Sequence, residues 1–326
     1  MWKKVWKKVC KQVRALSLLG ELSPNQFLAE YWQQKPLLVR DALRDYHSPV
    51  SPDELAGLAM EPEVESRLVS ARPAEFVWEL RQGPFNEADF SALPESDWSL
   101  LVQAVDLWVP DSKALLALFD FIPRWRLDDL MVSFATPGGG VGPHIDQYDV
   151  FLLQMEGERE WRIGQQPAPG DVGQPGSTSR VMENFQTIEQ WVLGPGDMLY
   201  LPPNVPHWGT AKTDCLTFSI GFRSPSASEM LGDLAVEVLA RNNDPQYRDP
   251  PLNVTMAADE IAPEFIQSAK SVLMALLDDD DLLADWFARF MTAPKYPGLE
   301  ELSNEQRRAI ARGVLYENGE VVDKFD

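Results

Sequence analysis

Histidine and cysteine are scarce in this sequence. Three histidines (His47, His144 and His207) and two cysteines (Cys10 and Cys215) stand among 326 residues. Two cysteines exclude a disulfide scaffold and a multi-cysteine zinc site, and they suit a reducing, cytoplasmic compartment. Any centre that needs several imidazoles must draw on three. Long apolar runs are also lacking. None approaches the roughly 20 residues of a membrane span, and Ala15–Leu19 is short for the core of a signal peptide. Positive charge is in deficit: 29 Lys and Arg face 50 Asp and Glu, a formal net charge of −21. Residues 1–14 hold Lys3, Lys4, Lys7, Lys8, Lys11 and Arg14 and no acid, so the rest of the chain is −27. Such a body repels nucleic acid phosphate and attracts basic partners. A basic protein surface is the expected partner, and direct binding of duplex nucleic acid is not expected.

What is present can build a core. The chain is 44% hydrophobic with 11 Trp and 15 Phe, which excludes a disordered solvating protein. Its length suits about two domains. Trp2, Val5, Trp6, Val9 and Val13 fall on one face of a basic amphipathic helix over residues 2–13. We expect that segment to lie on the acidic body or to be an upstream extension, rather than to contact a membrane.

Ser23-Pro24 and Ser51-Pro52 are helix starts, with Ser as N-cap and Pro at the first helical position. Leu37–Val39 reads as a buried strand, with further short strands at Arg67–Ser70 and Glu75–Arg81. Trp98, Leu101, Val102, Val105 and Trp108 read as a helical stripe. From Asp129 short strand-like runs take over: Leu130–Phe134, His144–Asp146, Asp149–Met155, Glu160–Ile163, Gln190–Leu193, Met198–Leu201 and Cys215–Phe222. Gly/Pro turns separate them, the pattern of a sandwich or barrel. After Ser224 helical stripes return, divided by the proline-containing linker Asn242–Pro251.

Two histidines sit where they could do chemistry. In Gly142-Pro143-His144-Ile145-Asp146, alternation puts His144 and Asp146 on one face of a strand-like segment. His207 follows the apolar strand ending at Leu201-Pro202-Pro203, and the fold could return it to the same point. Two His and one carboxylate make the facial triad of non-haem Fe(II) sites. The spacing alone also fits an ordinary His–Asp hydrogen bond. In Arg159-Glu160-Trp161-Arg162-Ile163, Arg159 shares the inward side with Trp161 and Ile163. A buried guanidinium needs either an internal carboxylate or an anionic ligand. His47, in a polar turn, reads as a surface residue, and Cys215 as a small buried hydrophobe.

Three stretches together, Gly139–Phe151, Gly157–Trp161 and Gly196–His207, resemble the JmjC-type cupin oxygenases. More closely, the chain is similar to the bacterial ribosomal oxygenases that hydroxylate an arginine of large-subunit ribosomal protein sixteen. The similarity runs over about residues 20–300. It implies an α+β protein with a double-stranded β-helix (cupin/JmjC jelly-roll) core preceded by N-terminal α/β elements. It implies Fe(II), with 2-oxoglutarate and O2 as cosubstrates. By position His144, Asp146 and His207 match the iron ligands, and Arg159 matches the residue that pairs with the distal carboxylate of 2-oxoglutarate. Ser133 matches a hydroxyl in that pocket. The implied domains are a catalytic domain (21–225), a helical dimerisation segment (226–292) that would give a homodimer, and the start of a winged-helix-like region (293–326), while the basic extension (1–20) departs from the family pattern. Ser303–Gly313 would be that region's first helix.

The leading expectation is therefore a protein arginine hydroxylase of the 3-hydroxylase type. Two others compete. One keeps the cofactors but acts on a histidine of another ribosomal protein or on a small molecule. The other is a non-catalytic metal-binding cupin.

Overall fold

The computed structural model describes residues 18–166, 181, 182, 184–241, 244–252, 259–296, 298, 299 and 307–325. The amphipathic segment 2–13 lies outside them, as do residues 167–180. The chain divides into two compact units, Met1–Ser224 and Pro225–Asp326.

Both Ser-Pro signals of the first unit open helices with reciprocal caps. Ser23 caps Pro24–Glu30, and Ser51 caps Pro52–Leu58. In the second, the Ser51 hydroxyl accepts from the Glu54 backbone N–H at 3.3 Å, and the Glu54 carboxylate accepts from the Ser51 N–H at 2.8 Å. Each such cap contributes about 1 kcal/mol.

Among the described residues of this unit, twelve strands follow or interleave. They are β1 (Leu37–Val39), β2 (Ser66–Arg72), β3 (Val77–Gln82), β4 (Trp98–Val102), β5 (Leu127–Ala135) and β6 (His144–Ile145). Next come β7 (Val150–Glu156), β8 (Arg159–Gly164), β9 (Thr187–Leu193), β10 (Met198–Leu201), β11 (Pro206–Ala211) and β12 (Cys215–Phe222). A large antiparallel sheet runs β1-β10-β7-β12-β5-β4-β2-β3, and a small one runs β6-β11-β8-β9. Together they form the jelly roll of a cupin.

The large sheet has two unlike faces, because side chains alternate along each strand. Leu130 and Val132 of β5, Phe151 and Leu153 of β7, and Leu216, Phe218 and Ile220 of β12 point outward into the main core with Leu18, Phe27, Leu55, Leu115 and Phe119. Phe27 is fully buried there, its ring 5.0 Å from Tyr200 and 5.6 Å from Phe151. Asp129 and Ser133 alternate to the other face, with Gln154 of β7 and Thr217 and Ser219 of β12. All five are buried, so the roll has a polar interior. Val150, Leu152, Trp161, Ile163 and Leu193 form an apolar cluster of their own.

One expectation in this unit is corrected. Trp98–Trp108 is no single helix: Trp98–Val102 is β4, paired with β2 and β5, and only Val105–Trp108 is helical. Leu100, Leu101 and Val102 are buried on both faces of a central strand, and a continuous apolar run mimics a helical stripe. His207 lies beyond the apolar strand β10, as expected, at the start of a further strand, β11.

In the second unit, helices Ala227–Ala240 and Asp280–Thr292 pack through Leu234, Val238, Leu282 and Trp286. The Trp286 indole N–H donates to Asp233 at 2.7 Å. Asp279 caps the last helix through the N–H groups of Asp281 and Leu282. Helix Pro263–Leu277 completes the set. Where a helix was expected over Ser303–Gly313, the described part is strand β13 (Arg308–Ala311), in a meander with β14 (Val314–Glu317) and β15 (Glu320–Lys324). Arg312 and Gly313, with φ of 48° and 78°, make a two-residue hairpin turn there. Asn318-Gly319 makes the next one, a local signal that overrides helical periodicity.

Candidate metal and cosubstrate site

The site is built by strand register. β6 pairs β11 so that His144 stands directly opposite His207, with ring centroids 4.2 Å apart. Each imidazole is held from behind: His144 Nδ1 contacts the Gly142 carbonyl and His207 Nδ1 the Val205 carbonyl, both at 2.9 Å. A carbonyl only accepts, so each Nδ1 carries the proton and each Nε2 keeps its lone pair. Both Nε2 atoms face one oxygen of Asp146, at 3.9 and 3.6 Å. One ligand atom from each of the three residues lies within 4.8 Å of the others. Burial, and then the neighbouring His144, push the His207 pKa down to about 4, so its ring is neutral and able to ligate near pH 7. Two imidazoles and one carboxylate on one side of a point fit Fe(II) and leave positions open.

The loop carrying Asp146 is anchored at both ends. Its carbonyl accepts from the Asn204 N–H at 2.8 Å, which ties it to the turn before β11. Asp149, fully buried, accepts from the Tyr200 hydroxyl at 2.6 Å and pairs with Arg126 at 3.3 Å.

Arg159 of β8 enters the same interior and is 4% exposed. One of its amino groups lies 3.3 Å from the Ser133 hydroxyl, and its guanidinium stacks 4.9 Å from the Trp161 ring centroid. Its Nε has no hydrogen-bond partner, and no carboxylate pairs with it among the described residues. Of the two partners open to a buried guanidinium, the internal carboxylate is thus absent among those residues. Desolvation pushes its pKa down from the ordinary arginine value. An uncompensated buried cation costs several kcal/mol, so this pocket is suited to an anion. Gly209 makes the room: a Cβ there would sit 2.7 Å from the Trp161 ring and 2.8 Å from Arg159 Nε.

The sequence reading missed a second group of polar residues. Asp129 shares a face of β5 with Ser133, is 4% exposed, and accepts from the Gln103 side chain at 2.8 Å. Tyr148 lies across Gly221 from it, each about 4 Å from where a Cβ would be. Desolvation around the Tyr148 hydroxyl, then the charges of Asp146 and Asp129, hold that phenol well above its ordinary range, although 41% of the residue's surface is exposed. Alternation along β5 was the available signal for Asp129. Of the remaining two residues singled out, His47 is exposed and lies apart, whereas Cys215 is buried near enough to Arg159 to feel its charge.

Comparison with known proteins now adds to the geometry. Residues 114–230 match the model of the JmjC domain. The Escherichia coli protein named ribosomal protein uL16 3-hydroxylase is 39% identical over 278 residues, covering 83% of this chain and 71% of that protein. The chain belongs to the JmjC ribosomal oxygenase family. Another relative, a probable ribosomal oxygenase of Haemophilus influenzae, is 36% identical over 78% of this chain and 64% of its own length. The solved structure of the Escherichia coli ribosomal oxygenase YcfD with cobalt and 2-oxoglutarate superposes with a TM-score of 0.79 at 35% identity, covering 93% of this chain and 86% of that one. Another structure of that oxygenase holds cobalt and succinic acid. Within this JmjC oxygenase, the matched domain spans β5 to β12 and so includes every residue of the triad and the Arg159 pocket.

Proposed function

We propose that this chain is an Fe(II)- and 2-oxoglutarate-dependent hydroxylase of an arginine side chain in large-subunit ribosomal protein uL16. One observation carries the reading: a buried guanidinium with no ion pair among the described residues shares the interior of the roll with a two-histidine, one-carboxylate cluster. A dicarboxylate chelating a metal at one end and paired at the other satisfies both. His144, Asp146 and His207 hold the iron, and Arg159 with Ser133 holds the distal carboxylate. The chemistry supplied by bound iron is the oxidation of 2-oxoglutarate by O2 to succinate and CO2, coupled to hydroxylation of the substrate.

The chain's own residues orient and exclude. The carbonyls of Gly142 and Val205 fix both imidazoles, and the apolar cluster around Trp161 keeps water from the cosubstrate. Asp129, buried beside Tyr148, offers a carboxylate to a guanidinium that reaches the site. The negative body steers a basic protein toward it. The relatives named for ribosomal substrates support the same assignment.

The proposed organisation is a catalytic domain over 21–225, a helical segment over 226–292 that joins two copies, and a C-terminal region over 293–326. Leu231, Leu239, Ile266 and Leu273 are each about three-fifths exposed on those helices and favour a homodimer. A cytoplasmic location follows from the substrate. Among the described residues no helix is long and apolar enough to cross a membrane.

The test is turnover of 2-oxoglutarate by iron-loaded protein with a uL16 fragment, followed by intact mass. We expect one added oxygen on the fragment and no turnover in His144→Ala. If every ribosomal protein fragment stays unmodified, the substrate assignment fails.

A further inference from the structure

Trp161 has a polar edge that the fold leaves unanswered. The residue is 5% exposed, and its indole Nε1–H has no hydrogen-bond partner among the described residues. Indole nitrogen only donates, and a buried donor left unmade costs free energy. Most of the ring packs in the apolar cluster with Ile163 and Leu193. Its position is set by register. Gly209 faces Trp161 across β8 and β11, Ala211 faces Arg159, and His207 faces Ile163. The ring centroid lies 5.9 Å from that of His207 and 4.9 Å from the Arg159 guanidinium. One side chain therefore neighbours both a candidate metal ligand and the guanidinium. Arg159 Nε, the neighbouring donor, is unpartnered too. Two unpartnered donors on side chains that stack on one another are suited to an acceptor brought by a ligand.

We propose that Trp161 is a cosubstrate-recognition residue. Its ring braces Arg159 by stacking, and its Nε1–H donates to the distal carboxylate of 2-oxoglutarate. The proposal rests on the functional reading above and names one more contact in that same site. An N–H donated to a carboxylate is among the stronger hydrogen bonds, so its loss weakens binding about ten- to hundredfold.

The experiment is calorimetric titration of cobalt-loaded full chain with 2-oxoglutarate, succinate and oxalate. Oxalate chelates the metal but has no distal carboxylate. In Trp161→Phe, which keeps a ring over Arg159, 2-oxoglutarate and succinate bind ten- to hundredfold more weakly, while oxalate and cobalt bind as in the unaltered chain. Unchanged 2-oxoglutarate affinity in the variant overturns the proposal. So does an equal loss for oxalate and cobalt, which marks a structural role. Failure of the unaltered chain to bind 2-oxoglutarate sinks the functional reading itself, a separate outcome. A second measurement covers a variant that does not fold. In zinc-loaded chain labelled with 15N at tryptophan, the Trp161 indole signal, assigned through its cross-relaxation with the His207 ring, moves downfield on adding 2-oxoglutarate and not on adding oxalate. A stationary signal refutes the donation.

Discussion

Replacing Arg159 by methionine should raise stability and abolish cosubstrate binding in the same molecule. Arg159 is 4% exposed, has no paired carboxylate among the described residues, and leans only on the Ser133 hydroxyl at 3.3 Å and the Trp161 ring. Without an anion it is an uncompensated buried cation, a state that costs several kcal/mol even after relaxation. Methionine fills similar volume with no charge, so Arg159→Met should melt a few degrees higher than the unaltered chain when no 2-oxoglutarate is added. With the anion present the sign reverses. Removing one partner of a buried charge pair costs about 3–5 kcal/mol, which is a loss of roughly two to four powers of ten in affinity. Ligand at a hundred times its Kd adds about 2.7 kcal/mol to the stability of the unaltered chain. The variant should gain nothing measurable at the same concentration. The assay is differential scanning calorimetry of metal-loaded protein with and without 2-oxoglutarate. A variant that is less stable without the cosubstrate, and still gains stability when it is added, would refute the argument that the pocket holds an unpaired cation awaiting an anion.

Other outcomes follow from the same geometry. In metal-free protein the folded pKa of His207 is about 4 against an ordinary 6.5, so the unfolded chain binds the extra proton between those values. That contribution to stability is complete above about pH 6.5 and is lost as pH falls toward 4, on the order of 3 kcal/mol at about 1.4 kcal/mol per pH unit. Denaturant midpoints across that range should flatten in His207→Gln, and an unchanged slope would contradict the cause. Gly209→Ala places a methyl 2.7 Å from the Trp161 ring and 2.8 Å from Arg159 Nε. Overpacking of that kind costs about 1–3 kcal/mol, so a rise of tenfold or more in the 2-oxoglutarate Kd should appear in calorimetry. Asp129→Asn removes a buried carboxylate but leaves the metal ligands alone. The KM for a basic protein fragment should rise ten- to hundredfold, as expected for a lost charged hydrogen bond, while 2-oxoglutarate turnover without substrate holds steady. An equal fall in both rates would place Asp129 in the scaffold instead.

Much of the architecture was legible because it is local. Ser23-Pro24 and Ser51-Pro52 carry their capping chemistry within three residues, and both helices begin there. Met198–Leu201 and Cys215–Phe222 have the strand bounds their residues suggest. The misreadings occurred where a local signal is ambiguous. Trp98–Val102 is buried on both faces because Leu100 and Val102 pack in the main core and Leu101 in a second apolar cluster, and no period separates such a strand from part of a buried helix. At Arg312-Gly313 the turn decides the state of Arg308–Ala311, although the apolar spacing there also suits a helix.

By itself the sequence determined which residue types could form a centre. With three histidines, and with His144 and Asp146 two residues apart, few constellations were open. It also determined that Arg159 points inward with Trp161, since alternation is a property of the strand alone. Only the tertiary structure decided that His207 stands opposite His144, because cross-strand neighbours depend on register between segments far apart in the chain. Only it decided that Arg159 is unpaired among the described residues and that Asp129 joins the same interior. Whether a buried charge is compensated depends on where every other side chain lies, which no local spacing encodes.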